Sequence, residues 1–252
     1  MNCASRGFLL AALALPAFAQ APYQPTSGQE GKDVPWVPTQ QIMVDTMLDM
    51  ARVAPGDYVI DLGSGDGRLV IAAAKRGARA LGIEYDPDLV ELSRRNAEKD
   101  GVAGSAAFLK ADLFETDFSK ASVITLFLMP ELNLLLRPKI LALKPGTRIV
   151  SNSFDMGEWQ EDERIERLPD PRCNVSYCTG LLWIVPAQVA GVYPLPQGEL
   201  ALKQQFQMLS GTLRSEGKTY ALQGKVRGEE FTFSAGGREY RGRVNGKVLE
   251  LR

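Results

Sequence analysis

The sequence predicts a doubly wound α/β domain followed by a small antiparallel β domain. A short apolar run, Tyr58–Ile60, leads into an acid and three alternate glycines, and an apolar helical pattern follows over 69–75. Strand, glycine turn and helix in this order open a nucleotide-binding parallel sheet. Over 187–252, short alternating runs are separated by glycines. That pattern predicts an antiparallel meander or small barrel of about six strands.

We divide the 252 residues into four segments. Residues 1–20 combine Arg6, an apolar stretch and a small-x-small cleavage pattern, which is typical of a bacterial secretory signal peptide. The alternative is an apolar N-terminal helix. Residues 21–38 are an extended lead-in rich in Pro, Gln and Gly; 39–186 form the cofactor-binding domain and 187–252 the β domain. We therefore expect export, in a bacterium to the periplasm, and a cytoplasmic location if the signal is not used.

Composition excludes several kinds of chemistry. The chain has no histidine, which excludes Ser-His-Asp and Cys-His catalysis, and we predict no metal site. The formal net charge is -1, and no basic stripe interleaved with aromatic residues predicts a nucleic-acid partner. No stable membrane span is expected, and the oligomeric state stays open. The β domain carries ten Lys/Arg against six Asp/Glu, whereas residues 21–186 carry eighteen Lys/Arg against twenty-four Asp/Glu. The two domains could therefore dock by opposite charge, or the β domain could bind an anionic partner. A solvated surface remains the simplest interpretation.

Two cysteines outside the predicted signal leave an alternative open. Cys173 and Cys178 lie close together in the sequence, and in an oxidising compartment they could form a local disulfide. Two unrelated small residues near a strand are the other interpretation. Cys3 would be removed with the signal.

The remaining elements alternate between helix and strand, as a right-handed parallel sheet requires. The acidic segment Gly157–Arg167 is predicted to be a solvated surface. The predicted elements are a helix Gln40–Arg52 capped by Thr39, strand Ala78–Tyr85, a helix capped by Asp86, strand Ala106–Leu109, strand Ser122–Met129, a helix broken at Pro138 within Leu134–Leu143, strand Arg148–Ser153 and strand Thr179–Val185.

Three acids and the glycine spacing indicate the cofactor. A dinucleotide loop has a glycine where this chain has Arg68, so the spacing disfavours a nicotinamide dehydrogenase. Asp61 ends the first strand. Glu84 ends the second strand, about twenty residues on, where an acid binds ribose hydroxyls. Asp112 follows the third strand and is our candidate for the adenine amino group.

The run Asp61-Leu62-Gly63-Ser64-Gly65-Asp66-Gly67 resembles motif I of the class I S-adenosylmethionine-dependent methyltransferases. With Val34-Pro35-Trp36-Val37-Pro38-Thr39, Leu128-Met129-Pro130, Phe154 and Trp159, it is similar to the small lysine methyltransferases of the ATP synthase c subunit and the adenine nucleotide carrier, and to their exported bacterial relatives. The resemblance implies a seven-stranded Rossmann-like methyltransferase sheet and S-adenosyl-L-methionine as cofactor. It implies a cofactor site formed by Asp61, Gly63, Ser64, Gly65, Gly67, Glu84, Asp112 and Leu113.

The sequence indicates the residues that bind the methyl acceptor less specifically than those that bind the cofactor. We expect methylation of an amine nitrogen, with protein lysine as one acceptor, by in-line displacement. Those lysine enzymes lack the β domain, so their acceptor is not transferred directly. Glu131 and Asp155 are the candidates for orienting the amine or accepting its proton, and either could instead cap a helix. The expected substrate pocket contains Trp36, Met129, Pro130, Asn133 and Phe154.

Two alternatives remain open at this stage. Trp36, between two prolines, could be a lid over the cofactor or a strap across the domain surface. The whole protein could be an exported non-catalytic scaffold, or an adenosyl-ligand-binding protein, that contacts a partner through its β domain. The complete set of motif I glycines and strand-end acids favours the enzyme.

Overall fold

A computed structural model describes residues 23–167, 170–173, 177–196, 198–245 and 248–251. The predicted signal peptide lies outside these residues. In the part of the chain that is described, no helix is long and apolar enough to cross a membrane.

The first domain is built on a mixed sheet of seven strands, as the resemblance predicted. The order across the sheet is β3-β2-β1-β4-β5-β7-β6. The first five strands are parallel, β7 runs antiparallel to β5, and β6 runs antiparallel to β7. The strands are β1 Tyr58–Leu62, β2 Arg79–Glu84, β3 Ala106–Lys110, β4 Val123–Leu126, β5 Arg148–Asn152, β6 Glu163–Glu166 and β7 Thr179–Ile184. The carboxyl ends of β1 to β5 therefore share one edge, and the predicted site residues follow those ends.

Four helices cover the sheet: α1 Gln41–Met50, α2 Arg68–Lys75, α3 Pro87–Lys99 and α4 Pro130–Leu141. Asp86 caps α3 through a bond from the Asp88 amide, as predicted. The predicted cap of α1 is wrong by one position: Gln40 is the N-cap, and it makes no side-chain capping bond. Thr39 is instead buried, and its carbonyl accepts a 2.7 Å bond from Arg68 Nη1.

The predicted break in α4 is also wrong. The helix runs continuously through Pro138, which removes one backbone donor without ending the helix. Packing compensates, because Leu136 and Ile140 on either side of the proline are buried in the core. Tertiary contacts thus override the local preference against proline.

The segment predicted to be solvated contributes to the sheet and the core. Glu163–Glu166 form β6, which pairs with β7 at the sheet edge. Trp159 is fully buried and stacks on Phe206 of the second domain at 6.2 Å between ring centroids. Only alternate residues of β6 face inward, so a four-residue edge strand resembles a polar surface in the sequence.

Cys173 and Cys178 are joined by a disulfide, with a Cα–Cα distance of 6.2 Å. Both cysteines are buried in the same apolar cluster as α1 and α2. Of the two alternatives that the sequence left open, pairing is the one found. The disulfide anchors the connection between β6 and β7.

The second domain is an antiparallel sheet of seven consecutive strands, one more than predicted. Each strand pairs with the next along the chain, in the order β14-β13-β12-β11-β10-β9-β8. Phe231, Phe233 and Tyr240 stack in its interior. The strands are β8 Gly191–Leu195, β9 Gly198–Gln205, β10 Met208–Ser215, β11 Lys218–Arg227, β12 Glu230–Ala235, β13 Arg238–Asn245 and β14 Val248–Leu251.

Two ion pairs with the same orientation of charge link the two domains. Lys225 Nζ lies 2.7 Å from Asp162 Oδ1, and Arg227 Nη2 lies 2.5 Å from Glu163 Oε1. Gln207 Nε2 adds a 2.6 Å bond to the Gln160 carbonyl. In both pairs the cation belongs to the β domain and the acid to the methyltransferase-like domain, which is the direction that the charge asymmetry of the sequence allows.

We expect Lys225→Met to lower the free energy of unfolding by about 2 kcal/mol, because it leaves the carboxylate of Asp162 buried and without its cation. The Asp162 side chain is 1% exposed, and its other oxygen accepts the Ile184 amide at 2.7 Å. Denaturant titration followed by tryptophan fluorescence measures the change. The control is Arg241→Met, whose ion pair with Glu239 is exposed on both sides and should change stability by less than about 0.5 kcal/mol. Equal effects of the two substitutions would contradict the importance of this contact.

Candidate active site

The glycine loop between β1 and α2 has the backbone conformation that its sequence predicted. Gly63, Gly65 and Gly67 have φ angles of 80°, 53° and 81°, a region that side chains with a Cβ rarely adopt. Gly67 is the N-cap of α2. The loop therefore turns tightly at the carboxyl end of β1 and presents its backbone to the edge of the sheet.

Glu84 at the end of β2 braces this loop. Its Oε2 accepts a 2.8 Å bond from the Gly65 amide, and its Oε1 accepts the amides of Tyr85 and Asp86 at 2.8 and 3.0 Å. These bonds fix the carboxylate beside motif I. The predicted ribose ligand and the predicted glycine loop are thus in direct contact.

Asp61 is buried under the loop, with 3% of its surface exposed. Burial raises the pKa of its carboxyl to about 7, because a charge in a dry site is costly. The nearby Glu84 and Asp66 carboxylates raise this pKa further, and a 2.6 Å bond from Thr125 Oγ1 opposes the shift. A group near its pKa at neutral pH is well suited to a cationic ligand, which would favour the ionised form.

Asp112, the adenine candidate, has a partner that the sequence did not indicate. Lys32 of the lead-in places its Nζ 2.5 Å from Asp112 Oδ2, and the same ammonium lies 4.8 Å from the centre of the Tyr85 ring. The Lys32 hydrogen bond is the main cause that lowers the pKa of Asp112. The lead-in is therefore tied to the end of β3.

Trp36 lies over the centre of the glycine loop. A Cβ on Gly65 would be 2.6 Å from the indole Nε1. The lead-in folds back on itself, because the Gly28 amide donates to the Trp36 carbonyl and the Trp36 amide donates to the Gln29 carbonyl. This position above motif I favours the lid of the two alternatives, and the lid stays a prediction.

A cleft that is open to solvent runs along the carboxyl edge of the sheet. Its lining includes Asp61, Gly63, Ser64, Glu84, Asp112, Leu113 and Trp36. The Ser64 hydroxyl is buried and has no hydrogen-bond partner among the described residues. Three carboxylates and a glycine loop fit a ligand that carries hydroxyl, amino and ammonium groups, as S-adenosylmethionine does.

Of the residues predicted to form the substrate pocket, Trp36 lines this cleft. Phe127 and Leu128, which follow β4, line it, whereas Met129 and Pro130 begin the helix next to it. Met129 is 42% exposed. Asn133 is fully buried and donates to the carbonyls of Phe154 at 3.2 Å and Asp155 at 3.1 Å. Asn133 thus holds the segment after β5 and is not itself exposed to a substrate.

The two candidate proton acceptors lie outside the lining of the cleft. Glu131 is exposed in the first turn of α4, and Asp155 is exposed and accepts the Gly157 amide at 2.9 Å. The capping alternative for Asp155 is close to what is observed, although the bond closes a turn and not a helix. Neither carboxylate is brought together with Asp61, Glu84 and Asp112.

Sequence reasoning missed Lys32, Thr125 and Phe127. Thr125 is a polar residue in an otherwise apolar central strand, and that exception was a usable signal. Phe127 follows directly after the same strand, where a parallel sheet places its ligands. Lys32 had no signal, because its role depends on how the lead-in folds back.

The comparisons with known proteins identify the family of this chain. The ANTKMT methyltransferase domain matches residues 61–163. A protein-lysine N-methyltransferase of Saccharolobus islandicus (strain REY15A) is 43% identical over 136 residues, covering 53% of this chain and 84% of that protein. The human lysine N-methyltransferase of the ATP synthase c subunit is 39% identical over 51% of this chain and 55% of that protein, so the chain spans about half of its length.

A solved structure points to the same cofactor. An RNA methyltransferase from Salinibacter ruber in complex with S-adenosyl-L-homocysteine is 45% identical, with a TM-score of 0.56, over 61% of this chain and 96% of that one. These likenesses favour an enzyme over the non-catalytic scaffold, and S-adenosylmethionine is the cofactor. The chain belongs to the family of S-adenosylmethionine-dependent methyltransferases that carry the ANTKMT methyltransferase domain.

Proposed function

We propose that this methyltransferase acts on an amine nitrogen and that its acceptor is a protein lysine. The observation that carries the proposal is the 43% identity with the archaeal protein-lysine N-methyltransferase, of which this chain covers 84%. The human relative that acts on a lysine of the ATP synthase c subunit supports the same class of acceptor. Asp61, Glu84 and Asp112 all lie within the matched methyltransferase domain.

S-adenosylmethionine, when bound, would supply a methyl group on a sulfonium, with the neutral thioether S-adenosylhomocysteine as the leaving group. The role of the chain is then to position the reactants and to exclude water. Asp61, beneath the glycine loop, would bind the ammonium of the methionine end, Glu84 would accept bonds from the ribose hydroxyls, and Asp112 would accept a bond from the adenine amino group. Trp36 covers the loop and keeps water from it.

The amine must reach the site in its neutral form. The chain has no histidine to serve as a base. We propose that Glu131 and Asp155, which are exposed near the carboxyl ends of β4 and β5, orient the ammonium of the acceptor and pass its proton to water. Since both are exposed, loss of either should slow the reaction less than loss of a cofactor ligand.

RNA is the second candidate acceptor, because the 45% identical structure is that of an RNA methyltransferase. The charge of this chain opposes it. Residues 21–186 carry eighteen Lys/Arg against twenty-four Asp/Glu, whereas binding to a phosphate backbone depends on clustered basic residues. Lysine therefore remains the acceptor that we propose.

We also propose that residues 1–20 direct export to an oxidising compartment, the periplasm in a bacterium. The buried Cys173–Cys178 disulfide supports this location, because structural disulfides persist in oxidising compartments. Cell fractionation after expression in a bacterium tests it. Recovery of the full-length chain in the cytoplasm would contradict it.

Transfer of a labelled methyl group from S-adenosylmethionine tests the acceptor. We expect label in a glycine-rich peptide that contains one lysine, and none in the same peptide with norleucine in its place. A short single-stranded RNA should remain unlabelled. Label in the RNA alone would overturn the lysine assignment, and label in neither, from a protein that binds S-adenosylhomocysteine, would overturn the proposed class of acceptor.

A further inference from the structure

The order of the strands determines which end of the cleft receives the acceptor. Asp112 follows β3, Glu84 ends β2 and Asp61 lies in β1. With adenine, ribose and methionine assigned to these three acids, the cofactor extends across the edge from β3 towards β4. The next strands in the sheet are β4 and β5, so the reactive methyl group is presented at their carboxyl ends.

Three aromatic rings meet at that end of the sheet, and we call them the aromatic wall: Phe127, Phe154 and Tyr177. Phe127 follows β4 and lines the cofactor cleft, and its ring stacks on that of Phe154 at 6.0 Å. Tyr177 completes the group, with ring centroids 5.4 Å from Phe127 and 5.7 Å from Phe154. All three rings are therefore in mutual contact beside the cleft.

The wall is open to solvent although it is apolar. Tyr177 is 37% exposed, and Phe127 and Phe154 are half-buried. None of the three belongs to the core clusters of the domain. Exposed aromatic rings at a cleft are unusual for stability alone and are common where a cationic or apolar side chain is bound.

Rigid supports hold each part of the wall in place. The buried Asn133 amide fixes the backbone of Phe154. Tyr177 is adjacent to Cys178, whose disulfide to Cys173 is buried in the core. The Cys178 carbonyl accepts the Arg167 amide at 2.8 Å. The position of Tyr177 thus depends on the disulfide, while Phe127 depends on the sheet itself.

We propose that the aromatic wall is the binding surface for the acceptor's lysine side chain and that the Cys173–Cys178 disulfide positions Tyr177 within it. This inference rests on the proposed function, because it assumes an alkylammonium acceptor. The ring faces attract the ammonium before it loses its proton, and their edges pack against its methylene chain. Tyr177 and the disulfide lie in the connection between β6 and β7, after the region 61–163 that the ANTKMT methyltransferase domain matches.

Binding of N-acetyl-lysine methylamide tests the inference without turnover. The full chain is saturated with S-adenosylhomocysteine, and the probe is titrated by nuclear magnetic resonance of its methylene protons. We expect Tyr177→Ala to weaken probe binding about tenfold and Tyr177→Phe to change it less than about twofold, because the ring and not the hydroxyl makes the contact. Reduction of the wild-type disulfide should weaken binding as Tyr177→Ala does.

The controls separate this inference from the proposed function. Affinity for S-adenosylhomocysteine should be unchanged in every sample, and the C173A/C178A variant should bind the probe weakly with or without reductant. Wild-type affinity for the probe in Tyr177→Ala would overturn the aromatic wall while the lysine assignment stands. Failure of the wild type to bind the probe while it binds S-adenosylhomocysteine would overturn both. Wild-type affinity in the reduced protein would overturn the role of the disulfide.

Discussion

Asp61→Asn is expected to make the protein more stable at pH 8 and to weaken its binding of the cofactor. Burial raises the pKa of Asp61 to about 7 from an ordinary value of 3.8. At pH 8 the folded protein therefore holds a carboxylate in a site that disfavours charge. Asparagine keeps the shape and can still accept the Thr125 hydroxyl without the charge. We expect a gain of about 4 kcal/mol in the free energy of unfolding.

The pH dependence has a defined direction. An acid whose pKa is raised by folding binds its proton more tightly in the folded state, so it contributes stability that is lost as pH rises. Between about pH 4 and pH 7, this group should lower the wild-type free energy of unfolding by about 1.4 kcal/mol per pH unit, with no further loss above pH 7. Above pH 7, the difference in the free energy of unfolding between wild type and Asp61→Asn should no longer change with pH.

Cofactor binding should respond in the opposite direction. Because the ionised carboxylate binds the ammonium of S-adenosylhomocysteine, wild-type affinity should rise from pH 5.5 to pH 7, whereas Asp61→Asn should bind about 100-fold more weakly at pH 7. Calorimetric titration measures the affinity, and chemical denaturation measures the stability. Asp49→Asn is the matched control, since that side chain is 69% exposed and should leave both quantities unchanged. A variant that is less stable than wild type at pH 8 would show that the Asp61 charge is compensated in the fold.

Local chemistry explains why the cofactor half of the site could be read from the sequence. Motif I, Glu84 and Asp112 each follow a parallel strand, and the carboxyl ends of neighbouring parallel strands share an edge. Their convergence then depends on strand order alone, which the alternation of helix and strand restricts. The positive φ angles of Gly63, Gly65 and Gly67 are predictable for the same local reason, because glycine readily adopts them.

The acceptor half depends on contacts between distant segments, which no local pattern specifies. Tyr177 reaches Phe127 only because a disulfide-anchored connection returns to the carboxyl edge of the sheet. The burial of Trp159 cannot be predicted from its acidic neighbours in the sequence, because its partner, Phe206, belongs to the other domain. The chemistry of Glu131 and Asp155 and their place after β4 and β5 predict a role at the acceptor end. Both side chains lie outside the lining of the cleft, since sequence spacing does not determine where an exposed side chain points.

Gly65→Ala is expected to weaken cofactor binding about 100-fold in a protein that still folds. Gly65 has a φ angle of 53°, and this conformation costs a residue with a Cβ about 1–2 kcal/mol. The added Cβ would also meet the Trp36 indole Nε1 at 2.6 Å, so the tryptophan must shift. The Gly65 amide holds Glu84, and a displaced loop would therefore move the ribose ligand as well.

A double variant distinguishes the steric contribution from the backbone contribution. Trp36→Ala alone should weaken binding of S-adenosylhomocysteine about tenfold, because it uncovers the loop to water. If the clash with the indole dominates, Gly65→Ala should cost less in the Trp36→Ala background than in wild type. If strain in the loop dominates, the two losses should add within about 0.5 kcal/mol. Gly217→Ala is the control for backbone strain without a steric clash. Gly217 lies in a hairpin of the β domain with a φ angle of 73°, and a Cβ added there would meet no atom within 4 Å. Wild-type affinity in Gly65→Ala would contradict the placement of the cofactor against this loop, because a ligand bound elsewhere in the cleft would not respond to the shape of motif I.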